Sequence, residues 1–323
     1  MAASGNPVLL SNDPLLHGIE LPLRAVYHPL GFRLNLATNS RHVLEAAEES
    51  WSVYTPEFAR QPIEIRVIVQ PEGGLADEPP VFRGQGELFS IVSDRHNYGV
   101  YEANSMAGYS FVSDKTAADH LRLRMHFLES MTYSLVAQRY AVPMHAAAVV
   151  RDGAGFLLCG PSGAGKSSLA LACARAGWTF VSDDATWLAA DVEGRVAIGR
   201  PGHARFREDA PLLFPELVRY AAEQRPNGKI TIEAAMGDFA DLRTAVRCSA
   251  DHLVLLARGA ARPRIVPLSP CDVIERLLGD CPSYGDCVSK LYERTLDRLR
   301  EASAWRLEYT ALGQALQLLA EIP

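Results

Sequence analysis

A glycine-rich segment at residues 160–167 constrains the fold of this chain more than any other feature. It matches the phosphate-binding pattern G-x-x-x-x-G-K-[ST] at every fixed position. The apolar residues 155–159 before it are typical of a buried strand, and residues 169–175 after it are typical of a helix. We therefore predict a strand, a loop and a helix in that order. A glycine-rich turn between any strand and helix can imitate the motif, but these flanking residues favour phosphate binding.

The chemistry of the segment suits a nucleoside triphosphate, ATP or GTP. Its glycines let backbone N–H groups approach a polyphosphate at the N-terminus of the helix. Lys166 would contact the β- and γ-phosphates, and the Ser167 hydroxyl would bind Mg²⁺. The predicted nucleotide-binding residues are Gly160, Pro161, Ser162, Gly163, Ala164, Gly165, Lys166, Ser167 and Ser168.

Two adjacent carboxylates follow the next β-prone segment. Asp183 and Asp184 come directly after residues 179–182, and Asp183 is sixteen positions beyond Ser167. In phosphate-loop enzymes an aspartate at the end of a neighbouring strand holds the metal ion or its water. A second aspartate is then free to accept a proton from an attacking hydroxyl. The alternative is that the pair only ends a strand, since Ser and Asp favour turns.

Residues 144–150, the glycine-rich segment and residues 181–184 together resemble the catalytic core of the HPr serine kinase/phosphorylase family and its kinase-like relatives. His145 stands fifteen residues before the first glycine of the segment. The resemblance spans about residues 143–320, and its specific motifs lie in the first third of that span.

This resemblance implies a fold and a set of roles. The implied fold is α/β, with a C-terminal P-loop kinase domain of HPr kinase/phosphoenolpyruvate carboxykinase type and an N-terminal α+β domain. By position, Asp183 would be the general base, Asp184 and Ser167 the metal ligands, and His145 a residue beside the phosphates. His145 is equally well explained as an ordinary histidine at the start of a strand.

One family segment is missing. Bifunctional members carry Glu-Arg-Gly-x-Gly-Ile after the aspartate pair, tied to their phosphorylase activity, and residues 202–210 read differently here. Glu208 or Asp209 could replace the missing carboxylate, although an exposed loop charge explains each of them better. We therefore expect no phosphorylase activity, and HPr itself is in doubt as the substrate.

Lysine usage gives an independent indication. The 32 basic residues include only four lysines, namely Lys115, Lys166, Lys229 and Lys290. Lys229 follows a predicted turn and starts a β-prone run. Related kinase-like sequences tend to have a Gly-Lys pair at this place. We hypothesise that Lys229 contacts the phosphates or the transferred group; the alternative is a surface lysine.

Composition and charge set bounds. With 323 residues, of which 48% are hydrophobic and 22% charged, the chain can form two globular domains. A net charge of −6 without a basic run argues against nucleic-acid binding. The six cysteines lie apart without a C-x-x-C pair, which is typical of reduced thiols. We find no signal segment and no apolar run of about 18 residues. We therefore expect a cytoplasmic protein that does not bind membranes.

We place a domain boundary near residue 141, because Pro143 ends a helical pattern. Residues 1–140 would form an α+β domain of unknown role built on antiparallel strand pairs, and residues 141–323 the catalytic domain. Within the first domain, Thr116–Asp119 resembles a capping box that opens a helix running to Tyr140.

These observations predict an ATP-dependent kinase that transfers the γ-phosphoryl group to a hydroxyl, with Mg²⁺ as cofactor. The expected acceptor is a serine of a protein or peptide. Two alternatives stay open: a small-molecule kinase, and a binding module that uses the nucleotide as a switch without transfer. The sequence leaves a homo-oligomer open as well.

Overall fold

The computed structural model describes residues 19–224, 230–259 and 262–323. The chain is a mixed α/β protein with several sheets. The described residues divide into two compact units, one within residues 1–52 and 56–132 and the other within residues 53–55 and 133–323. In these described ranges, no helix is both long enough and apolar enough to cross a membrane. The roles predicted for residues 1–140 and 141–323 stay predictions.

The first unit contains a seven-stranded sheet. Its strands are β1 (Leu23–Tyr27), β2 (Phe32–Thr38), β3 (Phe58–Gln70), β4 (Val81–Gln85), β5 (Leu88–Val92), β6 (Tyr98–Glu102) and β7 (Ala107–Ser113). The spatial order is β1-β2-β3-β7-β6-β5-β4. Most neighbours are antiparallel as expected, but β3 runs parallel to both β2 and β7. A parallel pair needs a long crossover, and helix α1 (Arg41–Trp51) lies in the one between β2 and β3.

Helix α1 is amphipathic. Its buried residues recur every three or four positions, which is one face of a helix: Val43, Ala46, Ala47 and Trp51. A short 3₁₀ turn, Pro29–Gly31, joins β1 to β2.

The helical region after β7 is more broken than the sequence predicts. It consists of α2 (Asp114–Ala118), α3 (His120–Arg122), a π-helical segment (Leu123–Leu128) and α4 (Glu129–Arg139). The predicted capping box at Thr116–Asp119 is wrong. Ser113 caps α2 by accepting a hydrogen bond from the Thr116 N–H, and Asp119 caps α3 by accepting one from the Arg122 N–H. The Thr116 hydroxyl instead accepts from the Ala76 N–H, 40 residues away.

The second unit is organised around strand β10 (Ala154–Cys159), which lies in the middle of another seven-stranded sheet. The other strands of this sheet are β9 (Ala146–Arg151), β11 (Thr179–Ser182), β17 (Arg243–Thr244), β19 (His252–Arg258), β20 (Arg264–Leu268) and β21 (Ser303–Tyr309). The order is β17-β11-β9-β10-β19-β21-β20. Strand β10 is antiparallel to β9 and parallel to β19.

Both faces of this sheet are covered. Alternate side chains of β10 point to opposite faces, so Phe156 and Leu158 join one hydrophobic core, and Leu157 and Cys159 join the other. Helices α5 (Lys166–Arg175) and α8 (Leu312–Ala320) contribute to the first core. Helices α6 (Pro270–Gly279) and α7 (Asp286–Asp297) contribute to the second.

Two smaller sheets complete the second unit. One has the order β18-β13-β12-β8, with β8 (Ala141–Met144), β12 (Thr186–Ala189), β13 (Val196–Ile198) and β18 (Arg247–Ser249). The other has the order β14-β16-β15, with β14 (His203–Arg207), β15 (Ala222–Gln224) and β16 (Ile230–Ala235). Short 3₁₀ turns cover Ala210–Leu212, Pro215–Arg219, Met236–Asp238 and Arg298–Glu301.

Candidate functional site

The glycine-rich segment forms the loop between β10 and α5. Gly163 and Gly165 have φ angles of 87° and 97°, a conformation that glycine adopts without steric cost. Gly165 is the N-cap of α5 and offers no side-chain cap to the first-turn amides. Since the first N–H groups of a helix lack intrahelical partners, those of α5 are available to an anion.

Tyr309 holds this loop in place by a hydrogen bond. Its hydroxyl donates a hydrogen bond to the Ala164 carbonyl, and its ring is buried at the end of β21. A Cβ atom at Gly165 would lie 2.5 Å from the Tyr309 hydroxyl oxygen, so that Tyr309 or the loop would have to shift. Both the backbone angle and the space therefore favour glycine at this position.

Lys166, the first residue of α5, reaches back over the loop. Its side chain is only 4% exposed, and Nζ donates a hydrogen bond to the Gly160 carbonyl at 2.9 Å. Nζ also lies 3.2 Å from Oδ1 of Asp184. The chain therefore places a nearly buried ammonium group between the loop and the aspartate pair.

Asp184 contacts two of the other predicted site residues, His145 and Lys166. Its Oδ1 lies 2.9 Å from Nε2 of His145, in addition to its contact with Lys166. Partial burial would raise the pKa of Asp184, but the hydrogen bond from His145 and the charge of Lys166 outweigh it and hold the pKa below its ordinary value. The side chain is still 47% exposed, so an ionised carboxylate faces solvent beside the loop.

Asp183 has the opposite environment. Its residue is 6% exposed, and Oδ2 accepts a hydrogen bond from the Arg205 main-chain N–H at 2.6 Å. Burial raises the pKa of Asp183 to about 6, although the hydrogen bond from Arg205 opposes the rise. The neighbouring Asp184 charge raises it further. Two adjacent aspartates thus have pKa values shifted in opposite directions.

Local hydrogen bonds set where the two aspartates lie. The strand β11 ends at Ser182, whose hydroxyl contacts that of Thr186 at the start of β12. The Thr186 hydroxyl donates to the Ala146 carbonyl at 2.8 Å, one residue beyond His145. This connection ties the turn that carries the aspartates to the segment that carries the histidine.

The structure therefore brings His145, Lys166 and Asp184 together, with Asp183 next in sequence but directed at Arg205. Ser167 and Ser168 are half-buried in the first turn of α5. Lys229 lies outside the described residues. Glu208 and Asp209 are exposed.

Three residues that shape the site were not predicted from the sequence. Tyr309 and the Arg205 main chain act over separations of 145 and 22 residues, with no local pattern to reveal them. Arg207 is the third: its guanidinium donates to the Ser162 hydroxyl at 3.4 Å and lies beside Gly163 in the middle of the loop. A cation beside the glycine-rich loop could have been suspected only from the arginines of residues 205–207.

The donor set suits a hard divalent cation. Ser167 offers a hydroxyl oxygen in the first turn of α5, and Asp184 offers a carboxylate 3.2 Å from the Lys166 ammonium. Oxygen is the ligand atom that Mg²⁺ prefers. The low pKa of Asp184 keeps its carboxylate ionised, which is the form that binds a metal ion.

Comparison with known proteins gave similarities to one family model and to solved structures. Residues 111–199, which include the glycine-rich loop and both aspartates, match the family described as SynChlorMet cassette protein ScmC. A solved structure of the Hpr(Ser) kinase/phosphatase from Coxiella burnetii matches with a TM-score of 0.30 and 14% sequence identity, over 55% of this chain and 88% of that chain. At that TM-score the similarity does not establish a shared fold. No curated protein matches the chain.

Proposed function

We propose that this chain is an ATP-dependent phosphotransferase that delivers the γ-phosphoryl group to a hydroxyl. The observation that carries the proposal is the convergence of Lys166, His145 and Asp184 beside the 160–167 loop, with a buried carboxylate, Asp183, adjacent. If the cluster were only a structural ion pair, it would not need a glycine-rich loop beside it. The sequence resemblance to HPr kinase-like proteins supports the same reaction.

The loop and Lys166 would hold the triphosphate. The first-turn amides of α5 are uncapped, the loop glycines keep side chains away, and the Lys166 ammonium is held at the loop. Such a helix N-terminus favours anions. Arg207, which contacts Ser162 in the middle of the loop, would add a second positive charge. Lys229 would contact the phosphates or the transferred group as well.

Asp184 and Ser167 would hold the Mg²⁺ ion. When bound, Mg²⁺ neutralises charge on the phosphate oxygens and so lowers the barrier to transfer. His145 Nε2 donates a hydrogen bond to Oδ1 of Asp184 and thereby orients its carboxylate.

Asp183 would accept the proton of the attacking hydroxyl. With a pKa of about 6 it is ionised at neutral pH, yet it is a stronger base than an ordinary aspartate. Its hydrogen bond from Arg205 fixes the orientation of the carboxylate, and its burial excludes competing water.

We assign a serine hydroxyl of a protein or peptide as the acceptor, on the basis of the kinase-like resemblance. The test incubates the chain and its Asp183→Asn variant with radiolabelled ATP, lysate proteins, a serine-peptide library and a metabolite pool. Label in a serine of a protein or peptide, formed only by the unmodified chain, supports the proposal. Label in a metabolite contradicts the acceptor assignment, and nucleotide binding without any transfer contradicts the phosphotransferase assignment.

A further inference from the structure

A second cluster of chemically active side chains lies in the first unit, far in sequence from the 160–167 loop. His42 and Glu45 stand one turn apart on α1, and His120 is the first residue of α3. Nδ1 of His42 lies 3.4 Å from Nε2 of His120. Oε2 of Glu45 lies 3.6 Å from the former atom and 3.7 Å from the latter. Three potential ligand atoms thus form a nearly equilateral triangle.

The size of this triangle is that of a metal site. An ion with tetrahedral bonds of about 2.0–2.1 Å holds its ligand atoms about 3.3–3.4 Å apart. The separation between the two histidine nitrogens, 3.4 Å, matches this value, and the two separations to Glu45, 3.6 and 3.7 Å, exceed it by only a few tenths of an ångström. We propose that His42, Glu45 and His120 bind a Zn²⁺ ion, with water at the fourth position.

Glu49 prepares His120 for this role. Its Oε1 lies 2.6 Å from Nδ1 of His120, so that nitrogen carries the proton when the ring is neutral. The lone pair is then on Nε2, the atom that faces His42 and Glu45. A carboxylate on the outer nitrogen of a ligating histidine is a recurrent feature of zinc sites, because it fixes the tautomer and raises ligand basicity.

Glu49 is itself held in place. Its Oε2 lies 3.2 Å from the Arg124 guanidinium, which is almost buried and also pairs with Glu129 at 3.4 Å. The outer carboxylate is therefore part of a fixed network, whereas the His42 and Glu45 side chains are exposed and accessible to an ion from solvent.

The ligand types select the metal. Two imidazoles and one carboxylate suit zinc and the later transition metals, whereas Mg²⁺ prefers an all-oxygen set. The site would therefore be distinct in chemistry from the Mg²⁺ site proposed at Asp184. It would also join α1 to α3 across 78 residues of sequence, so binding should stabilise the fold of the first unit.

The experiment titrates zinc chloride into the chelator-treated full chain without nucleotide, by calorimetry and by thermal melting. Cobalt(II) is substituted in parallel, because four-coordinate cobalt absorbs visible light much more strongly than six-coordinate cobalt. The variants are His42→Ala, Glu45→Gln and His120→Ala for the three ligands, and Glu49→Gln for the outer carboxylate. His96→Ala is the control, since His96 belongs to the same unit outside the cluster.

We expect one zinc ion per chain, a higher melting temperature with zinc and the strong cobalt spectrum. Each ligand variant should lose at least about tenfold in zinc affinity, and Glu49→Gln should lose about 10- to 100-fold. His96→Ala should bind zinc as the unmodified chain does. His42→Ala keeps the test valid should His120→Ala fail to fold, because His42 is exposed on the helix surface. Equal affinity in ligand variants and the control, no zinc binding by the unmodified chain, or a six-coordinate cobalt spectrum would overturn the proposal.

Discussion

The Asp183 carboxylate and the Arg205 main-chain N–H are joined by a hydrogen bond of 2.6 Å in a nearly dry environment. The next residue, Asp184, is half-exposed and paired with His145 and Lys166. Burial therefore makes ionisation of Asp183 unfavourable, whereas the partners of Asp184 stabilise its anion. This difference in environment underlies the first prediction.

Asp183→Asn should stabilise the free protein at neutral pH. The folded pKa of about 6 lies above the ordinary value of 3.8, so the unfolded chain binds fewer protons between these values. Stability is lost as pH rises through that window, on the order of 1–3 kcal/mol in total. Because asparagine does not ionise, the variant does not lose this stability as pH rises. Its melting temperature should exceed that of the unmodified chain more at about pH 7.5 than at about pH 4.5.

Asp184→Asn is the matched control for that experiment. Because the pKa of Asp184 is lowered, its ionised form contributes stability above the ordinary pKa, and that contribution is lost as pH falls. The variant should therefore be less stable than the unmodified chain at neutral pH, with a difference that shrinks in acid. The same pH dependence in both variants would contradict the assigned environments.

Lys166→Met should slow transfer strongly and weaken binding of the nucleotide. The methionine fills a similar volume but carries no charge for the phosphates, and we expect a loss of about 10²-fold or more in transfer rate. Lys290→Ala, an exposed lysine on α7, is the control and should leave both quantities unchanged. Calorimetric affinity for ATP and a transfer assay measure the two effects. Normal transfer by Lys166→Met would remove the lysine from the proposed site.

Gly165→Ala should damage the loop more than Gly153→Ala does. The two glycines have similar φ angles of 97° and 88°, so the backbone strain is matched, at about 1–2 kcal/mol. Only the new Cβ at residue 165 meets an obstacle, the Tyr309 hydroxyl; at Gly153 the space is open. We expect lower nucleotide affinity in Gly165→Ala alone.

Tyr309→Phe completes the comparison as a double-mutant cycle. Combined with Gly165→Ala, it removes the obstructing hydroxyl, so the double variant should lose less stability than the sum of the single variants. Urea unfolding of the four proteins measures this coupling. Strict additivity would show that the contact between the hydroxyl and residue 165 does not matter.

The sequence allowed the strand, loop and helix at residues 154–175 to be predicted, because each follows from a local pattern of glycines and apolar residues. It also identified the segments that carry His145 and the aspartates. It could not reveal which aspartate is buried, since that depends on Arg205 in a different sheet. The parallel neighbours of β3 and the breaks near residue 119 were missed for a similar reason: distant pairings and side-chain caps override local periodicity.

The most direct test of the phosphotransferase proposal measures transfer rate against Mg²⁺ concentration for the unmodified chain, Asp183→Asn and Asp184→Asn, with the acceptor found in the screen. Asp183→Asn should lower the maximal rate by about 10² to 10⁴-fold with little change in the Mg²⁺ requirement, because it removes a base. Asp184→Asn should raise the Mg²⁺ concentration needed, because it removes a metal ligand. Rates in both variants that merely follow the folded fraction would contradict the proposed roles of both residues.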